Sequence, residues 1–326
     1  MNHQPAHIIV VKGGWLTTVQ DLGRYGYQHY GVPISGAMDS FSTRVANRLV
    51  GNSDCAAILE LTLKGPELKF EQDAIVAITG ADLSPAINGN SIPLWESIAI
   101  QRGSLLSFGA QRAGSRAYLA IAGGIDVPLV LGSRSTHCAS QTGGLQGRPL
   151  KPGDILSGGE PGRSVNHLIG KRLSDRLLPP YRRPATLRVI PGPQRNLFSD
   201  TSLATLTEAT YSVSPQSDRM GYRLTGPKVA GEGSMRFISD GTTMGALQVP
   251  PDGQPILLMA DRQTTGGYPK IAVVISADLP LAAQLSPGDT VTFAPCTIAQ
   301  ALTVLRKHHA QLDQALPPRD TSFPSQ

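Results

Sequence analysis

The chain has 326 residues and a mass of 34.5 kDa, which suits two domains of roughly 100–200 residues each. Hydrophobic residues make up 40% and charged residues 16% of the sequence, so a mainly disordered chain is excluded. The net charge is +5, but aromatic residues are only 5% and no nucleic-acid-binding motif is present, so we expect no nucleic-acid partner.

The cellular location is limited by features that the sequence lacks. No apolar run reaches the roughly 18 residues that a membrane span requires. The first residues, MNHQPAHIIVVKGG, do not have the basic and apolar regions of a secretory signal. Three widely separated cysteines, Cys55, Cys138 and Cys296, favour neither a disulfide framework nor a Cys-type zinc site. We therefore expect a cytoplasmic protein with no membrane partner.

Short apolar or alternating runs, bounded by Gly, Pro, Asn or Asp, dominate the first half and predict β-strands. The 35 glycines and 26 prolines are about a fifth of all residues where about 12% is usual, which fits many turns between short strands. One helix is predicted here, capped by Asp39 or Ser40 and ended by Gly51. The predicted strands are 7–11, 57–63, 74–79, 97–101, 105–108 and 116–122.

A basic, proline-containing stretch, 161–185, separates the two halves, and we interpret it as a linker. Around and just beyond it, between residues 163 and 188, only Asp175 opposes seven basic side chains. Two interpretations stay open: a solvated connection, or a surface that docks an acidic partner or a phosphate. The basic residues are Arg163, Lys171, Arg172, Arg176, Arg182, Arg183 and Arg188.

Strands resume after the linker, and the chain ends in its clearest helix. Thr297 can cap that helix, and its apolar residues share one face. Helical turns are predicted at 202–209 and 281–285. The apolar face comprises Ile298, Ala301, Leu302, Leu305 and Leu312. The predicted strands are 186–190, 210–214, 246–249, 256–259, 271–275 and 290–294.

Common cofactor and catalytic motifs are missing. The sequence has no Gly-x-x-x-x-Gly-Lys-[Ser/Thr] loop, no complete Gly-x-Gly-x-x-Gly, no His-Glu-x-x-His and no Gly-x-Ser-x-Gly. No His or Cys cluster has metal-ligand spacing, so we predict no dedicated metal site.

Three polar, glycine-dense stretches can carry chemistry: 18–39, which we predict to be an ordered loop, 217–224 and 248–271. In the third stretch, Asp261 follows an apolar strand, Gly266 and Gly267 let a backbone approach a ligand, and Lys270 supplies a cation. Such a loop can hold a phosphate or a carboxylate. Equally, it is a hairpin turn whose polar groups satisfy one another, and both interpretations stay open.

The same stretches carry a resemblance to a known family. Asp218-Arg-Met-Gly-Tyr222 and Gln263-Thr-Thr-Gly-Gly-Tyr-Pro269 are long, unusual strings, and further matching segments run from Thr18 to Gln284. The chain resembles the C subunits of bacterial ATP-dependent 5-oxoprolinases and is similar to the wider biotin-dependent carboxyltransferase, or KipA-like, family. The resemblance covers nearly the whole sequence.

This resemblance implies a mainly β fold of two cyclophilin-like β-barrel domains, with a few short helices and a C-terminal helix. We place the domains at 1–160 and 186–326, on either side of the linker. The implied protein partners are a KipI-like 5-oxoprolinase B subunit and a 5-oxoprolinase A subunit. Together they would convert the small-molecule substrate 5-oxo-L-proline to L-glutamate with ATP and Mg²⁺ as cofactors. The sequence has no biotin-attachment segment, so no biotin is expected on this chain.

The implied reaction is the ATP-driven opening of a lactam. An amide is a poor electrophile because its nitrogen lone pair is delocalised, and phosphorylating the lactam oxygen would end that delocalisation. Phosphoryl transfer needs cations and backbone donors around the developing charge. The predicted catalytic residues are Asp21, Arg24, Asp39, Arg219, Asp261 and Lys270. The predicted substrate- or nucleotide-binding residues are Gln20, Ser35, Gly36, Met220, Tyr222, Gln248, Gln263, Thr264, Thr265, Gly266, Gly267 and Tyr268.

Alternatives stay open for the residues and for the function. Asp21, Asp39 or Asp261 could bind Mg²⁺ or orient a substrate N–H, although an Asp beside an Arg is also typical of an ion pair that holds a loop. The chain could instead be the carboxyltransferase component of a urea or amide carboxylase that takes carboxybiotin from another protein. A third function is that of a KipA-like regulatory protein, which acts only by binding its KipI-like partner.

Overall fold

The computed structural model of the chain describes residues 5–160, 166–181, 184–231 and 238–318. These residues group into two compact units. The first unit takes the described residues up to Arg24, those from Asp39 to Leu178 and those from Ala310 onward. The second takes Tyr25–Met38 and the described residues between Pro179 and His309.

The first unit is built from two antiparallel sheets. One sheet has the order β11-β1-β4-β9-β6-β7 and the other the order β2-β3-β10-β5-β8. Its strands are β1 His7–Lys12, β2 Leu16–Gln20, β3 Ile58–Thr62, β4 Glu67–Phe70, β5 Ala74–Asp82, β6 Pro85–Ile87, β7 Asn90–Ser91, β8 Ser97–Ile100, β9 Leu105–Phe108, β10 Ala113–Ile121 and β11 Ile155–Ser157.

One apolar core joins the two sheets of the first unit. Ile8 and Phe70 of one sheet and Leu59 and Leu119 of the other are fully buried members of the same cluster. Strand β5 is buried along almost its whole length, because the helix α1, Ser40–Leu49, packs on β5 and β10. Unbroken apolar runs are what strands covered on both faces require.

The second unit is a closed barrel with the strand order β12-β19-β16-β17-β14-β13-β20. Its core includes Leu187, Leu247, Leu257 and Val291, all fully buried. A separate two-stranded ribbon pairs β15 with β18. The elements are β12 Ala185–Pro191, α2 Asp200–Glu208, β13 Tyr211–Val213, β14 Gly221–Thr225, β15 Asp240–Gly241, β16 Ala246–Gln248, β17 Ile256–Leu258, β18 Thr265–Gly266, β19 Lys270–Val274, α3 Leu279–Ala283 and β20 Thr290–Pro295.

The C-terminal helix α4, Ile298–Ala315, starts where the sequence predicts. Thr297 Oγ1 accepts a hydrogen bond from Gln300 N at 3.2 Å, and Gln300 Oε1 accepts one from Thr297 N at 2.8 Å. This reciprocal pair is a capping box. The predicted apolar face is only partly buried, because Leu312 is 3% exposed while Ile298 and Leu302 are 63% and 45% exposed.

Arg48 of α1 holds the segment that follows α4. Its Nε lies 2.7 Å from Asp54 Oδ1, and its Nη1 lies 2.7 Å from Asp313 Oδ1 and donates to Leu316 O at 2.8 Å. Burial alone would raise the pKa of Asp54, but the hydrogen bonds and charge of Arg48, helped by Arg44, outweigh burial and lower that pKa. Through this ion cluster, Arg48 connects Asp313 and Leu316 to the rest of the first unit.

The predicted mainly β fold, with a few short helices and a C-terminal helix, is confirmed in the described residues. The second unit closes as a ring of hydrogen-bonded strands, and the first encloses its core between two sheets. The sequence did not predict the strands at 16–20, 67–70, 85–87, 90–91, 221–225, 240–241 and 265–266. Three of them, 16–20, 221–225 and 265–266, lie in or beside polar stretches whose glycines and charges obscure the alternation.

The compact units are divided differently from the predicted domain boundaries, 1–160, 161–185 and 186–326. Part of the linker pairs with the first unit: Ser97 N donates to Lys171 O at 2.9 Å, and Leu173 N donates to Trp95 O at 3.0 Å. Arg188 is paired with Asp278. Arg163, Arg182 and Arg183 lie outside the described residues.

Within the described residues, no helix is long and apolar enough to cross a membrane.

Candidate functional site

The predicted site residues divide between the two compact units. Four of them lie in the first unit: Gln20, Asp21, Arg24 and Asp39. All the others lie in the second unit, where the polar stretches 25–38, 217–224 and 248–271 share hydrogen bonds.

Asp21 closes the end of β2 against the loop 133–135. Its carboxylate accepts hydrogen bonds from Ser133 Oγ at 2.7 Å, Ser135 Oγ at 2.5 Å, Arg134 N at 2.6 Å and Gly23 N at 2.8 Å. The residue is 6% exposed. Because donors surround both oxygens, the buried carboxylate is stabilised by the protein itself. This geometry is that of a clamp between two loops.

Arg24 and Gln20 are also held inside the first unit. Arg24 is 1% exposed, and it donates to Val130 O at 2.8 Å and to Ser135 O at 2.9 Å. Gln20 Nε2 donates to Thr136 O at 3.1 Å. The buried Oε1 of Gln20 accepts no hydrogen bond from any described residue. Arg24 therefore ties the same loop that Asp21 clamps.

Asp39 is the N-cap of α1. Its Oδ1 accepts from Ser42 N at 2.9 Å and its Oδ2 accepts from Ser42 Oγ at 2.6 Å, as the sequence predicts for a cap. Its own backbone N–H donates to Tyr118 Oη at 2.9 Å. Burial, with the charges of Glu60 and Asp39, holds the pKa of Tyr118 well above its usual range. Asp39 thus begins a helix and has no exposed surface.

The centre of the second group is a buried ion pair, Arg219–Asp261. Arg219 Nε donates to Asp261 Oδ2 at 2.8 Å and Nη2 donates to Oδ1 at 3.0 Å. Ser35 Oγ donates to Asp261 Oδ1 at 2.6 Å, and Arg219 Nη2 donates to Gly36 O at 2.7 Å. The two charged residues are only 6% and 7% exposed. Bidentate geometry of this kind fixes both orientation and distance.

The local backbone explains why these side chains meet. Strands β14 and β17 are paired, and the pairing continues beyond them because Asp261 N donates to Arg219 O at 2.8 Å. Ser35 has a φ of 57°, in the left-handed region that side chains larger than glycine rarely adopt. The loop 25–38 is therefore held in a strained form against the pair.

A cluster of side-chain amides lies between β16 and the loop that follows β17; we name it the amide cluster. Gln263 Nε2 donates to Gln248 Oε1 at 3.2 Å, and Gln248 Nε2 donates to Tyr268 O at 3.4 Å. A Cβ at Gly266 would lie 2.4 Å from Gln248 Nε2, so a side chain there would displace the Gln248 amide. Thr242 Oγ1 donates to the Gln263 carbonyl. Amide donors and acceptors arranged together can pair with another amide.

Lys270 is 2% exposed and supports the ribbon β15–β18. Its Nζ donates to Asp240 Oδ2 and to Gly241 O, both at 3.1 Å. Gln194 joins the group, because its Oε1 accepts from Lys270 N at 3.1 Å and its Nε2 donates to Asp240 Oδ2 at 3.2 Å. The hydrogen bond from Lys270, followed by that from Gly241 N, lowers the pKa of Asp240. The ammonium group of Lys270 is thus already used within the protein.

The remaining predicted binding residues differ in exposure. Met220 and Tyr268 are 44% and 42% exposed and can contact a ligand. Tyr222 is 2% exposed, belongs to the barrel core, and has its hydroxyl 3.5 Å from Ala283 O. Thr264 contributes its carbonyl, which accepts from Gln28 Nε2 at 2.9 Å. Thr265 forms the ribbon with Gly266, and Gly267 follows it.

Five residues of this region were not predicted. For four of them the sequence carries little signal, because each is an ordinary polar residue whose partner is distant in the chain. Gln28, for example, reaches Thr242 O and Thr264 O across more than 200 residues. For Arg262 a signal was available, because it directly follows Asp261 inside the polar stretch 248–271. The five are Gln28, Gln194, Asp240, Thr242 and Arg262.

The described residues do not fit a magnesium ion held by this chain. Among residues 5–160, 166–181, 184–231 and 238–318, no three His, Cys, Asp or Glu side chains group as metal ligands. The carboxylates of Asp21, Asp39 and Asp261 are each bonded to donors of the protein. Arg24 and Lys270, predicted to meet phosphate groups, are likewise bonded to protein acceptors. We therefore assign these residues no role in phosphoryl transfer.

A family model described as "Carboxyltransferase domain, subdomain A and B" matches residues 30–295. The chain is 38% identical over 305 residues to the 5-oxoprolinase C subunit of Escherichia coli strain K12, with 94% of this chain and 96% of that protein covered. It is 35% identical to the urea amidolyase of Lachancea kluyveri, with 96% of this chain but 18% of that protein covered.

Solved structures show the same likeness. The crystal structure of the K. lactis urea amidolyase superposes with a TM-score of 0.89 at 34% identity, covering 100% of this chain and 21% of that chain. The chain therefore corresponds to nearly the full length of a bacterial subunit, and to only a small part of the urea amidolyases.

Proposed function

We propose that this chain works as the C subunit of an ATP-dependent 5-oxoprolinase. The premise is that the chain belongs to the carboxyltransferase-domain family and, within it, to the 5-oxoprolinase C subunits. The main support is that the alignment covers nearly all of both proteins: 94% of this chain and 96% of the E. coli C subunit, at 38% identity. The product of the assembled enzyme would be L-glutamate from 5-oxo-L-proline. The arrangement of the second unit supports this substrate.

A lactam offers one N–H donor and one carbonyl acceptor in a flat, resonance-stabilised group. In the amide cluster, Gln263 turns its amide nitrogen toward Gln248, so its amide oxygen is the group that accepts a ring N–H. The exposed faces of Met220 and Tyr268 supply apolar contact for the ring methylenes. The part of this chain in the reaction is then to bind and orient the lactam while water is kept away.

The rest of the reaction belongs to the assembly. A KipI-like B subunit and an A subunit would complete the enzyme, and ATP with Mg²⁺ would supply the free energy that opens the lactam. Activation of the lactam is the step we assign to the pair formed by this chain and the KipI-like subunit. Residues of this chain hold the substrate for that step and are assigned no contact with the phosphates.

The test is reconstitution. The chain is co-expressed with its KipI-like neighbour, the A subunit is added, and glutamate release from 5-oxo-L-proline is followed with and without ATP. ATP-dependent glutamate that disappears when this chain is omitted supports the proposal. Three folded proteins that release no glutamate would contradict it.

A matched pair of variants tests the role of the amide cluster. Gln263→Ala should raise KM by about tenfold, the loss expected for one or two hydrogen bonds, while the complex with the KipI-like subunit is retained. The control is Gln216→Ala, an exposed glutamine of the same unit, which should leave KM unchanged. A Gln263 variant that binds the KipI-like subunit but loses turnover also argues against a purely regulatory protein.

A second function is favoured by one observation, the TM-score of 0.89 with the urea amidolyase over 100% of this chain. In that case the chain would be the carboxyltransferase component of a urea or amide carboxylase. Transfer of a carboxyl group from carboxybiotin to urea, measured with the same proteins, distinguishes the two functions.

A further inference from the structure

Arg262 is a buried cation in the second unit that the proposed function does not use. It follows Asp261 in the loop after β17 and is 6% exposed. Its backbone N–H donates to Met259 O at 3.3 Å, which turns the chain so that the two neighbouring side chains, Asp261 and Arg262, take different partners.

The guanidinium of Arg262 has little hydrogen bonding within the protein. Among the described residues it makes one hydrogen bond, from Nη1 to Met259 O at 3.4 Å, which is near the limit of a useful bond. Its buried Nε donates to no acceptor among the described residues. A guanidinium has five N–H donors in a planar fork, so most of this fork is unused.

The carboxylate of the neighbouring residue Asp261 already accepts hydrogen bonds from other side chains. Asp261 receives Arg219 through both of its oxygens and Ser35 through one of them. Burial lowers the pKa of Arg262, and the electrostatic effects of Tyr25 and Asp261 offset this only in part. The second unit therefore holds two arginines, Arg219 and Arg262, beside a single buried carboxylate.

An arginine cannot escape this cost by losing its proton, because its pKa is too high. A buried charge that has no partner strongly destabilises a protein, and a well-packed apolar side chain would be more stable in its place. A residue kept in such a position is therefore a candidate for binding something that arrives from outside the protein.

We propose that Arg262 is the anion-binding residue of this site and that it takes the carboxylate of a small carboxylic acid. The planar fork of a guanidinium matches a carboxylate through two parallel hydrogen bonds. The assignment rests on the proposed function in one respect: 5-oxo-L-proline is a lactam that carries one carboxylate. Arg262 would then select the acid, and the amide cluster would bind its lactam group.

The test measures binding directly, without turnover. The full chain, co-purified with its KipI-like subunit, is titrated calorimetrically with 5-oxo-L-proline, with 2-pyrrolidinone and with inorganic phosphate. 2-Pyrrolidinone is the same lactam without the carboxylate, and phosphate stands for an anion that a nucleotide would supply. The variants are Arg262→Met, which keeps the length of the side chain and removes the charge, and Arg223→Met, an exposed arginine on β14, as the matched control.

We expect 5-oxo-L-proline to bind wild type and Arg223→Met equally and to bind Arg262→Met at least about tenfold more weakly, since hydrogen bonds to charged groups contribute most to such affinities. 2-Pyrrolidinone should bind wild type and Arg262→Met alike. The unfolding temperature of Arg262→Met without ligand should equal or exceed that of wild type, because an unpaired buried charge is removed.

Three results would overturn the proposal. Equal binding of 5-oxo-L-proline by wild type and Arg262→Met, or no binding by either, removes the carboxylate assignment. Binding of phosphate alone through Arg262 assigns the residue to a nucleotide. A large fall in the unfolding temperature, or loss of the KipI-like subunit from Arg262→Met, shows a structural or interface role. Since glutamate release is not measured, failure of the proposed function would leave these results interpretable.

Discussion

Asp21 in the first unit and Asp261 in the second unit are both buried carboxylates that accept a hydrogen bond from a serine hydroxyl. Their surroundings differ in charge. Asp21 is bonded to neutral donors of two hydroxyls and two backbone amides. Asp261 is bonded to Arg219 and lies next to Arg262, whose guanidinium is nearly unpaired. A carboxylate held by neutral donors completes a loop, while an excess of buried cations leaves a site ready for an anion.

The largest expected effect tests the charge balance of the second unit. Asp261→Asn removes the carboxylate and leaves Arg219 buried without its partner. Breaking a buried ion pair in this way costs about 3–5 kcal/mol, which urea denaturation will measure. Replacing both partners, as Arg219→Met with Asp261→Leu, should recover most of that stability, because no unpaired buried charge is left. A double variant no more stable than Asp261→Asn would show that the cost does not come from the unpaired charge of Arg219.

Asp21→Asn tests the neutral clamp of the first unit. The amide keeps one oxygen acceptor, and its NH2 group faces either the Arg134 N–H or the donors of Ser133, Ser135 and Gly23. We expect a loss of about 2–3 kcal/mol in the free energy of unfolding, since hydrogen bonds to a charged acceptor are the strong ones. The calorimetric affinity for 5-oxo-L-proline should not change once the protein is folded. A fall in affinity without a fall in stability would place Asp21 in the site instead.

Two variants of Asp39 distinguish a capping role from a catalytic role. Asp39→Ala should cost about 1–2 kcal/mol because Ser42 N loses its acceptor at the start of α1. Asp39→Asn should be close to wild type in stability, since asparagine caps helices about as well. Glutamate release by the reconstituted enzyme should follow the same order. If Asp39→Asn is stable but inactive, the carboxylate has a chemical role.

The smallest effect concerns the ion cluster of Arg48. The pKa of Asp54 is lowered in the folded protein, so its stabilising contribution is present above the unfolded pKa, 3.8, and is lost as the pH falls through the lower folded value. Asp54→Asn should therefore reduce stability at pH 7 by about 1 kcal/mol or slightly more, and the difference from wild type should shrink below about pH 4. Chemical denaturation at pH 7 and pH 3 measures both. A difference that is the same at both pH values would show that charge is not involved.

Much of the fold follows from short-range patterns. Apolar alternation and turn residues locate β8, β9, β16 and most other strands within a few residues. The caps at Asp39 and Thr297 are likewise visible as a polar residue before an apolar period. The strands of the polar stretches were not predictable in this way, because glycines and charges replace the alternation there, and their pairing is decided by neighbours far along the chain.

The candidate site was predictable only as a set of stretches. The polar stretches 217–224 and 248–271 contain Arg219, Asp261, Gln263 and Gly266, and the structure places these residues in one unit. The stretches did not show that Asp39 is a helix cap or that Tyr222 is a core residue. The Asp39→Asn variant tests whether Asp39 also has a chemical role.

By itself, the sequence determined the β character, the helix starts and the membership of a family, because each depends on residues close together in the chain or on long exact strings. Only the tertiary structure decided the partners of the charged groups. Asp21 meets Ser133 across 112 residues and Ser35 meets Asp261 across 226. The charge balance around Arg262 depends on such distant partners, and no local pattern encodes it, because electrostatic pairing acts through space after the barrel has closed.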